Sequence, residues 1–109
     1  MKTWTVEELQ NDWNFQHAFS EAQTRTYGNK STVLQDVVEV IAAAEGENDG
    51  PAWVALCKLK NGKYIKMFAG CDYTGWDCQA GGNIEYYDTK EELLSVNTLT
   101  KEERERLGV

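Results

Sequence analysis

The apolar positions of this chain change their period several times, and each change marks an element. Val6, Leu9 and Trp13 recur at helical spacing behind Thr5-Val6-Glu7-Glu8, where a threonine hydroxyl and a glutamate three residues on form a capping box. Phe15, Ala18, Phe19 and Ala22 make a second helical set, out of phase with the first. The polar residues Asn11, Asp12 and Asn14 fall at the change. The pattern therefore predicts a kink, or two short helices with Asp12 capping the second. Gln23 to Ser31 is polar and contains Gly28-Asn29, a loop signal. Thr32-Val33-Leu34-Gln35 opens another capping box. Leu34, Val37, Val38 and Ile41, continued by Ala44, then predict a helix despite the β-branched residues, with Gly46 ending it as the C′ residue. Glu45 to Gly50 reads as an acidic turn, and Pro51 bars a helix from continuing there.

Beyond Pro51 the pattern changes to that of strands. Ala52 to Lys60 and Lys63 to Ala69 are joined by Asn61-Gly62, which favours a two-residue type I′ turn. That turn sets Lys60 opposite Lys63, Leu56 opposite Met67 and Trp53 opposite Gly70. One face then carries Val54, Leu56, Ile65, Met67 and Ala69. The other carries Trp53, Ala55, Cys57, Leu59, Tyr64, Lys66 and Phe68. Large apolar groups on both faces imply helices on one side and partial cover on the other. Asn83 to Tyr87 predicts a third strand. Thr89-Lys90-Glu91-Glu92 and Thr100-Lys101-Glu102-Glu103 each start a short helix, the last anchored by Leu107 and stopped by Gly108. The expected fold is a single α+β domain over residues 1–109. Its three-stranded antiparallel sheet combines the hairpin 52–69 with strand 83–87. N-terminal helices pack on one face, and two short C-terminal helices follow the sheet.

Composition supports one domain and narrows the functional classes. The chain has 109 residues, and its 41% hydrophobic residues include four Trp, five Tyr and three Phe, enough for a core. No apolar run approaches the roughly 20 residues that span a bilayer, and the N-terminus turns polar at once. A cytoplasmic location is the expectation. Free thiols are therefore expected for the three cysteines. The formal net charge of −7 opposes nucleic acid at long range and suits docking onto a basic surface. The charge is uneven: Lys58, Lys60, Lys63 and Lys66 fall within nine residues that hold no acid.

Residues 70–82 carry the densest chemistry: Cys71, Asp72, Tyr73, Trp76, Asp77 and Cys78, spaced by four of the nine glycines. Gly-rich segments between strands either pack on their own aromatics or present them to a partner, and both readings stand. Six residues between Cys71 and Cys78 permit a disulfide but do not make a Cys-x-x-Cys redox motif. Zinc needs four ligands, and Cys57, Cys71, Cys78 and the only histidine, His17, supply them only if the fold gathers them. Asp72, Thr74 and Asp77 fall short of a calcium loop. A cysteine nucleophile needs a base, and His17 lies in a distant helix beside an apolar stripe. Gly81-Gly82 opens a strand rather than a helix, so no phosphate loop is present. No cofactor or metal is therefore expected, although a ligand- or metal-binding module on Cys71, Asp72, Asp77 and Cys78 is the second reading and an enzyme the third. The hairpin lysines Lys58, Lys60 and Lys63 provide a further binding candidate, with Tyr73 or Trp76 available for stacking. Their structural role would be to blunt an exposed edge against aggregation.

The run Gly70-Cys71-Asp72-Tyr73-Thr74-Gly75-Trp76-Asp77-Cys78-Gln79-Ala80-Gly81-Gly82 stands behind Trp53-Val54-Ala55 and ahead of Glu103-Arg104-Glu105-Arg106-Leu107-Gly108. In this arrangement it resembles a group of small bacterial and phage proteins without assigned activity, across about residues 50 to 108. That resemblance implies a phage or mobile-element association and brings no functional residues with it. Together these features predict a small acidic, non-enzymatic interaction protein whose partner is another protein. An inhibitor or regulator of the anti-defence or anti-CRISPR kind is one concrete form.

Overall fold

The computed structural model describes residues 3–27, 33–47, 50–71 and 79–109. Two helices open the chain, α1 (Val6–Asn11) and α2 (Trp13–Tyr27). Thr5 caps α1 through the expected reciprocal box with Glu8. Asp12 breaks the helix and restarts it, its carboxylate accepting from the Phe15 amide at 3.0 Å. The phase change in the sequence is thus a real break between helices. Phe15, Ala18 and Phe19 are buried as expected, whereas Trp13 is 59% exposed rather than part of the α1 stripe.

Thr32 lies outside the described residues, and the helix expected through Leu34 to Ala44 does not form. A single 3-10 turn, Val33–Asp36, leads into the strand β1 (Val37–Ala44). It is followed by β2 (Trp53–Leu59), β3 (Tyr64–Cys71) and β4 (Gln79–Tyr87). The sheet therefore has four antiparallel strands in the order β1-β2-β3-β4, not three. The physical cause of the misreading is visible in the register. Val37 is opposite Leu59, Glu39 opposite Lys58, Val40 opposite Cys57 and Ala42 opposite Leu56. One extra residue, first Val38 and then Ile41, is inserted on β1 at each of two bulges. The β1 residues facing the main core are consequently Val37, Val40 and Ala43. The stripe read as helical instead mixes the two faces: Leu34 and Val37 meet the main core, Ile41 and Ala44 the second core, and Val38 is exposed.

The lysine hairpin also departs from the expected turn. Trp53 is opposite Ala69, Ala55 opposite Met67 and Lys58 opposite Tyr64. The loop therefore has three residues, Lys60-Asn61-Gly62. The Gly62 amide donates to the Leu59 carbonyl at 3.0 Å, and the Leu59 amide donates to Lys63 at 2.8 Å. Gly62 supplies a left-handed conformation, at φ 87°. The shift by one residue reassigns the faces. Trp53, Ala55, Cys57 and Leu59 share a face with Ile65, Met67 and Ala69, beneath α1 and α2. Val54 and Leu56 share the opposite face with Tyr64 and Phe68.

β4 begins earlier than expected, at Gln79, and takes in Gly81 and Gly82 where its pairing with β3 slips by one residue. Two short helices then cover the second face, α3 (Lys90–Leu93) and α4 (Lys101–Leu107). Leu93, Leu99 and Leu107 pack there on Val54 and Leu56. Thr89 and Thr100 cap these helices, and Gly108 closes α4. The sheet is thus sandwiched between N-terminal helices and a thinner C-terminal layer.

Candidate functional site

The hairpin lysines are bound into the molecule. Lys60 Nζ lies 3.2 Å from the Asp36 carboxylate, and its amide donates to the Asp36 carbonyl at 2.9 Å. Lys63 bonds the Asp88 carboxylate. Lys58 Nζ sits 5.8 Å from the centre of the Tyr64 ring. Exposed pairs of this kind contribute about 0–1 kcal/mol each, but they occupy the charges. Lys58, Lys60 and Lys63 flank the turn, each with an internal partner.

Lys66 is the buried member of the group, only 6% exposed. Its ammonium donates to Glu103 at 3.0 Å and to the Thr98 carbonyl at 2.8 Å, and lies 5.0 Å from the Phe68 ring centre. Glu103 also accepts the Thr100 amide at 2.9 Å, as the N3 residue of the α4 capping box. Burial alone would raise its carboxyl pKa. The Thr100 amide and the Lys66 ammonium outweigh that and hold it below the ordinary value. Arg104 and Arg106 spend their guanidinium groups on carbonyls, Arg104 on Leu94 and Arg106 on Glu45 and Ala52 at 3.0 and 2.8 Å. Burial, followed by a hydrogen bond to Glu85, pushes the Tyr87 phenol up.

The other functional residues named from the sequence divide in two. Asp72, Tyr73, Trp76, Asp77 and Cys78 lie outside the described residues. Cys71 ends β3 opposite Gln79 at the start of β4. Cys57 is fully buried in β2, and burial pushes its thiol far above the ordinary value. His17 lies beside the exposed Trp13, their ring centres 4.5 Å apart, on the outer surface of α2. Among the described residues, no group of three His, Cys, Asp or Glu is placed to hold a metal ion. No helix among them is long and apolar enough to cross a membrane.

The feature that sequence reasoning missed is the edge of β1. It is an outer strand of the sheet, and among the described residues its backbone ladder is shared only with β2. A cleft of about 220 Å³ follows this edge. It is lined by Val40 to Ala43 of β1, by Thr3 and Trp4, and by Leu107 and Gly108. Residues 33–47 hold Asp36, Glu39, Glu45 and Glu47 and no lysine or arginine. Asp36 is paired with Lys60. Glu39, Glu45 and Glu47 are exposed, with no ion-pair partner among the described residues. The signal for this site was present in the β-branched run Val37-Val38-Glu39-Val40-Ile41, which suits a strand.

No protein-family model matches the chain, and comparison with curated proteins and with solved structures returned no significant match. The geometry defines an antiparallel α+β domain with an open acidic edge.

Proposed function

We propose that this is a small interaction protein that acts without catalysis, binding a basic surface of another protein as an inhibitor or regulator. One observation carries the reading: among the described residues, most of the cations are engaged internally while many carboxylates are not. Lys60, Lys63 and Lys66 pair with acids, and Arg104 and Arg106 hold carbonyls. Glu7, Glu39, Glu45, Glu47, Glu102 and Glu105 face solvent. A surface so arranged presents a negative field and steers toward a positive partner. The phage or mobile-element association belongs to the same proposal and rests on the sequence resemblance.

The experiment is affinity capture from host lysate followed by cross-linking and mass spectrometry. Charge reversal at Glu39, Glu45, Glu102 and Glu105 is compared with the control reversal Lys90→Glu with Lys101→Glu. The expected result is a partner with a basic contact surface, lost with the acidic-site variant and retained by the control. Equal recovery by both variants overturns the proposal.

A further inference from the structure

We infer that the open edge of β1 accepts an extended, lysine- or arginine-bearing segment of a partner protein as a fifth strand. This rests on the reading of the chain as an interaction protein and names where and how it binds. An outer strand presents a row of unpaired backbone donors and acceptors, and an extended peptide satisfies them by strand addition. The cleft along Val40 to Ala43 gives such a peptide a seat, because it is lined from both faces of the sheet. Trp4 belongs to the core under α1 and α2, and Leu107 to the core under α4. Alternate side chains of an added strand would therefore meet Trp4 on one face and Leu107 on the other.

Charge selects the occupant. Glu39 lies within β1 and Glu45 just past its end, and both are exposed. At about 3.3 Å per residue they stand up to roughly 20 Å apart along the edge. A segment with short apolar or hydroxyl side chains at its centre and cations toward both ends matches that layout. A second copy of this chain does not, since edge-to-edge pairing would set Glu39 and Glu45 of one copy against the same carboxylates of the other. The two bulges limit the docked stretch. Beyond Ile41 the register runs regularly through Ala42, Ala43 and Ala44. Bulges also bend an edge away from indiscriminate pairing, which favours a short guest over a full sheet.

The test uses an octapeptide with two lysines at each end and alternating valine and threonine between them. Binding is followed by amide exchange and titration on the full chain. The expected result is slowed exchange confined to residues 37–44. N-methylating either the valine or the threonine amides should weaken binding at least tenfold for one of the two sets, because only one set faces β1. Glu39→Gln with Glu45→Gln should weaken it about fivefold, the scale of two exposed charge contacts. Absence of binding overturns the inference. So does protection confined to β4, or concentration-dependent self-association that protects β1 without peptide. Salt-sensitive binding indifferent to both N-methylated sets also overturns strand addition, yet it leaves the acidic docking surface standing. That surface is judged separately by the capture experiment.

Discussion

Glu103→Gln isolates the ion pair that ties the C-terminal layer to the sheet. Gln at this position can still accept the Thr100 amide, so the α4 cap survives the substitution. What disappears is the charge 3.0 Å from Lys66 Nζ. At that separation and an effective dielectric constant of about 20, the attraction is about 5 kcal/mol before desolvation. Desolvating the two ions offsets several kcal/mol of it. Removing one partner of a fully buried pair costs about 3–5 kcal/mol. Glu103 is partly exposed, and the Thr98 carbonyl still holds Lys66, so a loss of about 2 kcal/mol is expected. For a domain of this size that lowers Tm by about 8 °C. The assay is thermal and urea unfolding monitored by tryptophan fluorescence, for wild type, Glu103→Gln, and Glu103→Gln combined with Lys66→Met. The double variant removes both charges and should recover most of the loss. pH supplies the sign. The folded carboxyl lies below its ordinary value of 4.5, so its contribution is complete above that value. It fades as pH falls through the lower folded value, and the gap between wild type and Glu103→Gln should close there. A loss under about 0.5 kcal/mol at neutral pH, or a gap that persists in acid, would falsify this account of the latch.

The two substituted glycines should behave differently in the same unfolding assay. A Cβ on Gly46 would sit 2.4 Å from the Pro51 carbonyl oxygen and 2.6 Å from Trp53 Cε3, so Gly46→Ala should cost about 2 kcal/mol through overpacking. A Cβ on Gly62 meets nothing within 4 Å, and Gly62→Ala should cost only the roughly 1 kcal/mol of a left-handed backbone; equal costs for the two would refute this contrast. Asp12→Ala removes the acceptor of the Phe15 amide and should lower stability by about 1 kcal/mol, with far-UV circular dichroism reporting a frayed α2 start; an unchanged unfolding midpoint counts against the cap. Cys57 should resist iodoacetamide in the native protein and react in urea, read by peptide mass mapping, and native-state labelling would contradict its burial.

The parts of the fold legible in the sequence were those governed by local chemistry. Thr5, Thr89 and Thr100 cap helices where their spacing to Glu8, Glu92 and Glu103 places caps, and Asp12 restarts the helix it was expected to restart. The residues that defeated the reading depend on partners distant in the chain. Val37, Val38, Ile41 and Ala44 fall at helical spacing, yet they belong to a strand that is bulged twice against β2, and no window of local sequence contains β2. Asn61-Gly62 signalled a hairpin correctly, but one further loop residue reversed which side chains of β2 and β3 share a face. Lys66 read as one member of a short basic segment until α4, far along the chain, brought Glu103 to it.

The same bulges link the misread strand to the proposed function. A flat, unbulged outer strand of eight residues would offer its full length to any exposed edge, and selection against aggregation usually removes or charges such edges. In β1 the insertions at Val38 and Ile41 interrupt the ladder, while Glu39 and Glu45 charge the strand and its end. Protection against self-pairing and selection of a basic guest are then one device: carboxylates that repel an identical edge attract a cationic one. Open backbone groups supply affinity, and the charges decide who may use them. The lysines complete this division. Lys60 pairs with Asp36 immediately before β1, so that acid is already neutralised. The acids left exposed beside the edge are Glu39 within the strand and Glu45 and Glu47 after it.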